Sequence, residues 1–416
     1  MSNNKIKANE ELFKPIIKEI ELEGSQYRCF PDHCIYFEEN ISEEENISDS
    51  NIFKKLKIIE CGHIFYGYEF AYLSYDNSLY LAVTNISFDS IEISQDLINF
   101  HSENNSAFFL LLASKKIISV KNEKLTYFFD ERLYMNKEYA IQKDNFEYIS
   151  TSKDQKIRVH KLYDIVSFFD EFTIFKIPND SNFNDKNGIY GAILYLISLQ
   201  KDILIWLPYE EKTIKAFQDI AVSGNKRLPY SFIMESLTSL RWKYAFKDLY
   251  RCVENLYGIA EIAKFTEKNS CKVFDLIEFR KDLVEILFWR TTDLNNLEAI
   301  LQDIPIDIIN SFLNSNILNT DNDSESKKSR SEFNIEIKFL EDAKNNKNNL
   351  EQDKLINDKK VRFVAKKLYK LRNSYVHFRN DLIEKDNFND SDWNLLILSM
   401  LNLISESYNK YYNTIK

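Results

Sequence analysis

Glycine is scarce in this chain, seven in 416 residues, with six prolines, five cysteines and four methionines. The glycines are Gly24, Gly62, Gly67, Gly188, Gly191, Gly224 and Gly258, and no subset of them forms G-x-G-x-x-G or G-x-x-x-x-G-K-S/T. Loops that cradle phosphate need glycine, because their backbone approaches the anion closely and takes up φ > 0. The shortage argues against a P-loop NTPase, a dinucleotide-binding Rossmann domain and a protein kinase. Five cysteines are few and odd in number, which fits a reducing compartment better than a disulfide framework. Long apolar runs are missing too. AFFLLLA at 107–113 and WNLLILSMLNLI at 393–404 fall short of the ~20 residues that span a bilayer. The opening MSNNKIKANEELFKP has no apolar stretch after its lysines, so no secretory leader is expected. These absences together predict a cytoplasmic protein with no membrane partner.

What is present is ordinary globular composition, 44% hydrophobic, and a net charge of −10. That balance on its face disfavours nucleic acid as a partner. Residues 1–51 read as an N-terminal segment with a short helix around Glu10–Ile20 and an acidic loop, EENISEEENISDSN, at 38–51. From 52 to about 175 short Tyr-, Phe-, Ile- and Val-rich runs alternate with polar turns such as Tyr75-Asp76-Asn77-Ser78. This pattern predicts strands, and 52–220 is taken as a β-rich domain. The stretch at 190–209 fits helix and strand equally.

From about 228 the apolar period changes to 3.6. Pro229 stands near a helix start, and Phe232, Leu237, Leu240, Tyr244, Leu249, Val253, Leu256 and Ile259 form one predicted apolar face. Further helices are expected over Val273–Trp289, from a cap at Thr292 or Asp293 through Leu301, and over Asp307–Leu313. Residues 319–358 are polar and biased and read as an insertion, its first half, almost without apolar residues, as mobile. Two helices close the chain, one over about 359–384 and one from Trp393 to Tyr412, capped by Asp390, Ser391 or Asp392. The predicted class is α+β, a β-rich N-terminal domain followed by an all-α bundle over 228–416.

The densest chemical signal is KKVRFVAKKLYKLRNSYVHFRND at 359–381, which contains Arg372-Asn373-x-x-x-His377. On a helix, Asn373 and His377 share a face and Arg372 flanks it, about 100° round from Asn373. Arginine offers a permanently charged fork of donors matched to phosphate, and imidazole exchanges protons near neutral pH. Glu254 is positioned to pair with Arg372 inside a bundle or to stand at the surface. Arg379, seven after Arg372, lies on the same face and reads as a solvated charge. Lys359–Arg379 holds eight basic residues and no acidic one, so the rest of the chain carries −18 against the whole chain's −10. A basic stripe of this kind is the footprint of phosphate-backbone contact. The acidic total therefore does not exclude RNA.

These residues resemble the HEPN domains, helical bundles whose ribonuclease members carry R-x(4–6)-H with Asn, Asp or His after the arginine. The resemblance covers about 228–416. It implies a metal-independent endoribonuclease, with His377 as general acid/base, Arg372 stabilising phosphate charge and Asn373 supporting both. It also implies a homodimer in which two motifs form one composite site, and no cofactor. An N-terminal domain joined to such a bundle is similar in layout to the ApeA-type anti-phage nucleases. That likeness implies a sensor or regulatory role for 52–220, abortive infection or a toxin system, and a phage-derived trigger or an antitoxin as partner. The competing expectation is a non-catalytic bundle that dimerises or binds a nucleotide as an adaptor. A fused Rossmann-like nucleotide sensor is disfavoured, since 1–220 lacks the alternating strand–helix pattern.

Cys29, His33, Cys34, Cys61 and His63 offer zinc-binding atoms, but C-x4-C…C-x-H is no standard finger. Core cysteines are the expectation, with no metal assigned. His101 and His160 have no recognisable partners in the sequence.

Overall fold

A computed structural model of the chain describes residues 55–65, 68–84, 95–99, 108, 111–112, 117, 147–150, 156–159, 171–200, 205–268, 279–281, 292–319, 331–338, 340–342, 350–376 and 388–413. The class is α+β. The chain divides into two compact units between Asn184 and Asp185. The expected Glu10–Ile20 helix, the 38–51 loop, most of Val273–Trp289, Cys29, His33, Cys34, His101, His160, His377 and Arg379 lie outside the described residues.

The first unit holds β1 (Lys57–Phe65), β2 (Tyr68–Tyr75), β3 (Ser78–Thr84), β4 (Ile98–Asn99), β5 (Glu147–Ser150), β6 (Lys156–Val159) and β7 (Phe172–Ile177). Five strands form one sheet in the order β1-β2-β3-β7-β4, and β5 pairs with β6 separately. Every pairing is antiparallel. Tyr75-Asp76-Asn77-Ser78 closes the β2–β3 hairpin, and Asp76 (φ 47°) and Asn77 (φ 63°) take the left-handed conformations of a type I′ turn. Short Asn and Asp side chains tolerate that region, and its twist matches the flanking strands.

Phe70–Leu73 on β2 and Tyr80–Thr84 on β3 are buried without a break. A strand with one wet face would alternate; these are covered on both faces. Phe108 covers part of one face, its ring edge-on to Tyr80 at 5.2 Å. Cys61 and His63 sit on β1, and both are exposed, so Cys61 is not the core cysteine that was expected. His63 Nδ1 lies 3.1 Å from the Glu69 carboxylate on the neighbouring strand. Among the described residues, no group of three or more His, Cys, Asp or Glu is arranged to hold a metal.

The second unit is helical. It holds α1 (Lys186–Ser198), α2 (Glu211–Val222), α3 (Tyr230–Leu237), α4 (Trp242–Glu254), α5 (Ile259–Lys268), α6 (Asp293–Gln302), α7 (Ile306–Asn314), the single turn α8 (Asn316–Asn319), α9 (Leu350–Val376) and α10 (Asp390–Asn413). The ambiguous 190–209 stretch is thus helical through Ser198. Asp185 caps it by accepting from the Gly188 N–H at 2.7 Å. The helices Lys186–Ser198 and Glu211–Val222 therefore belong to the second unit, whereas the sequence pattern takes 52–220 as one β-rich domain and leaves 190–209 open between helix and strand.

α10 is the centre of the bundle. Leu396, Ile397, Met400, Leu401, Leu403 and Ile404 are all buried, so the helix is covered on more than one face. The apolar run at 393–404 is a bundle axis of ordinary length. Among the described residues, no helix is long and apolar enough to cross a membrane. Asn394 anchors the start of this axis. Its amide oxygen accepts the Glu210 N–H at 2.8 Å, and its N–H groups reach the carbonyls of Pro208 (3.0 Å) and Asp390 (2.9 Å).

Three sequence expectations shift here. The continuous 3.6-residue face over 229–265 is broken, because α3 ends at Thr238 and Arg241 is extended before α4 begins. The break resets the phase, leaving Leu240 and Tyr244 exposed. Part of the supposed insertion 319–358 is packed helix. Residues 331–338 are helical, α9 begins at Leu350 rather than near 359, and Ile337 and Ile356 are buried. Phe333 stacks on Phe363 of α9 with centroids 4.1 Å apart. Finally, α10 starts earlier than expected, and its cap is Asn389, whose side-chain oxygen accepts the Asp392 N–H at 2.8 Å.

Candidate functional site

Arg372 and Asn373 lie in the last described turns of α9, and His377 is the residue that follows Val376. Packing fixes that end of the helix. Tyr375, two residues before His377, lies with its ring 6.3 Å from those of Phe246 on α4 and Trp393 on α10. Trp393 stacks parallel to Trp242 at 6.3 Å, and Trp242 meets Tyr209 edge-on at 5.0 Å. The Trp242 indole N–H donates to the Asp390 carboxylate at 2.8 Å. Offset and edge-on rings add to what burial alone supplies. This pile of rings ties α4, α9 and α10 together beside the motif.

Arg372 is held on two sides. Its Nη2 lies 2.7 Å from Glu254 Oε1 at the end of α4, and its Nη1 donates to Asn373 Oδ1 at 3.0 Å. About a quarter of each charged side chain remains exposed, 23% for Arg372 and 27% for Glu254. A charge-assisted contact this short, mostly out of water, is stronger than a surface pair. Of the two readings open for Glu254, partner of Arg372 and surface carboxylate, the geometry selects the partner.

Behind the pair is a buried phenol couple. The Tyr250 and Tyr257 hydroxyls are 2.9 Å apart and seven residues apart along the chain. Burial pushes the Tyr250 hydroxyl up; Glu254 adds to the rise and Arg372 opposes it. Burial likewise raises Tyr257, reinforced by Tyr250, Glu254 and Asp293. Both phenols therefore stay neutral and serve as a hydrogen-bonded wall. This wall was not anticipated from the sequence, although the Tyr-x6-Tyr spacing is visible there.

The basic stripe looks different in three dimensions. Lys359 pairs with Glu336, Lys360 with Glu341 at 3.7 Å, and Arg362 with Glu298 at 3.9 Å. Arg362, Lys366 and Lys370 remain exposed along one line of the helix, four residues apart. A cleft of about 660 Å³ lies elsewhere, between the end of α1, α2 and α10. Neither Arg372 nor Asn373 lines it, and its charged lining includes the Lys215–Asp219 pair at 3.0 Å.

The arrangement offers a guanidinium held on α9, five residues before His377 in the chain. It has the means to bind an anion; among the described residues it has no carboxylate cluster for a cation. No protein-family model, no curated protein and no solved structure matches this chain.

Proposed function

We propose that the chain is a metal-independent endoribonuclease of the HEPN type, acting in antiviral defence or as a toxin. The observation that carries the reading is the anchored guanidinium of Arg372, held by Glu254 and Asn373 on the helix that leads into His377. A ribonuclease that uses the substrate's own 2′-OH needs a proton acceptor, a proton donor and a cation for the charge on the phosphoryl oxygens. His377 takes the 2′-OH proton while the 2′ oxygen attacks phosphorus. The P–O5′ bond breaks, and the leaving 5′ oxygen receives a proton from the second imidazole of a homodimer. Arg372 neutralises the equatorial oxygens. The products are a 2′,3′-cyclic phosphate and a 5′-hydroxyl, and RNA is the substrate class. Under this reading the first unit senses a trigger or restrains the nuclease, and an antitoxin or a phage component is the regulating partner.

A second reading has an observation of its own. Among the described residues of the stripe, Lys359, Lys360, Arg362 and Arg372 itself already face carboxylates, as in a purely structural bundle. On that reading the bundle is a non-catalytic dimerisation or nucleotide-binding adaptor.

The test is cleavage of labelled RNA in EDTA by wild type, Arg372→Ala and His377→Ala. The nuclease reading expects activity in EDTA, and losses of about 10²–10⁴-fold in both variants. Equal cleavage by all three proteins removes the site assignment. Loss of wild-type activity in EDTA removes the metal-free mechanism. Phage protection or toxicity that survives His377→Ala favours the adaptor.

A further inference from the structure

We infer that Glu254 is a positioning residue for Arg372, and that its charge also limits how tightly the site grips phosphate. The inference rests on the nuclease reading above and adds a residue from a different helix to it. Arginine's five N–H donors form a rigid fork, and the direction in which that fork points decides whether it meets a phosphate squarely. In this protein the direction is set from two sides. Glu254 Oε1 takes Nη2 at 2.7 Å, and Asn373 Oδ1 takes Nη1 at 3.0 Å, so the carboxylate and the carboxamide each occupy one terminal nitrogen. Nε–H and the outer N–H bonds are left to aim at a ligand.

The clamp is itself built. Glu254 is the last residue of α4, whose buried face, Phe246, Leu249, Tyr250 and Val253, fixes the helix against the bundle. The next residue, Asn255, closes α4 through its backbone N–H to the Arg251 and Val253 carbonyls. Behind it the neutral Tyr250–Tyr257 couple supplies low-dielectric surroundings, which strengthen the ion pair. The effect on a phosphate is therefore double. The close contact with the Glu254 oxygen aims the fork, while the carboxylate's negative charge offsets part of the guanidinium's pull on an incoming anion.

The two parts separate by substitution. Glu254→Gln keeps an oxygen that accepts from Nη2 and removes the negative charge. Glu254→Ala removes both. Single-turnover and steady-state cleavage of a labelled RNA are measured for wild type, Glu254→Gln, Glu254→Ala and Arg372→Ala, with melting temperatures recorded for each. The inference expects Glu254→Gln to retain kcat and to show a lower KM. It expects Glu254→Ala to lose kcat by about 10- to 100-fold, the scale of a misplaced catalytic group, at a melting temperature where the protein is fully folded. It is overturned if folded Glu254→Ala keeps wild-type kcat, or if Glu254→Gln loses as much kcat as Glu254→Ala. If Glu254→Ala does not fold, Glu254→Gln decides alone: an unchanged or raised KM overturns the inference. Arg372→Ala separates the two levels. Undiminished cleavage by it refutes the nuclease site itself, whereas its loss beside a fully active Glu254→Ala refutes only the role of Glu254.

Discussion

At one end of the basic run on α9, Lys359, Lys360 and Arg362 lean on Glu336, Glu341 and Glu298; at the other, Arg372 is clamped by Glu254 and Asn373. In each pair of the first set one side chain stands well out in solvent while its partner, Lys359, Lys360 or Glu298, is as covered as Arg372 or nearly so. Arg362 is 65% exposed, and Glu336 and Glu341 are each about half exposed. Such pairs contribute little, because water and salt screen them and side-chain entropy opposes them. The second is a short contact between groups mostly out of water, seated on a pile of aromatic rings. Positive charge in a sequence is thus of two kinds, charge that rests on the surface and charge that is held in place. Only the second gives an enzyme a fixed donor without reorganisation at the moment of reaction.

The contrast can be broken by experiment. The largest stability effect is expected at the motif end. Trp393→Ala removes the ring that touches Trp242, Tyr375 and Phe388, and should cost about 3–5 kcal/mol in denaturant unfolding. At the other end, Phe333→Ala removes the ring stacked on Phe363; beyond the burial it gives up, the lost ring pair should cost about 1 kcal/mol. If Phe333→Ala proved the costlier change, the better-packed end of α9 would be the wrong one. Asn389→Ala takes the cap from α10 beside the motif and should cost about 1 kcal/mol, read as a lowered midpoint with an unchanged slope. Smallest of all, Glu336→Gln should change stability by less than about 1 kcal/mol, and any effect should vanish in high salt. A salt-resistant loss there would erase the distinction between the two ends.

Much of the fold was legible because it is written locally. The Asp76-Asn77 turn, the Thr292 cap and the amphipathic pattern of α7 all depend on neighbours within a few residues. The break between α3 and α4 was not legible, since Thr238–Arg241 contains neither Gly nor Pro and the apolar spacing runs across it. The 319–358 stretch misled for a related reason. Its polar composition hides Phe333, Ile337 and Ile356, three apolar residues that are packed against the bundle. At the site, Arg372 and Asn373 could be read from spacing, and Glu254 could be weighed as a partner. The carboxylates facing the stripe could not be found this way, because Glu298 lies 64 positions from Arg362 and nothing local links the two. The exposure of Cys61 on β1 was hidden likewise, because one strand's pattern does not reveal which face its sheet covers.

The most direct test of the central claim sets the held charge against the resting ones. Single-turnover cleavage of an end-labelled RNA, at saturating enzyme and with EDTA present, is compared for Arg372→Ala and for the double variant Lys366→Ala/Lys370→Ala. The account predicts that Arg372→Ala lowers the saturated rate by about 10²–10³-fold. The double variant keeps that rate and only weakens binding, with a shallower dependence on salt. The reverse pattern, a saturated rate that survives Arg372→Ala and falls in the double variant, would contradict it.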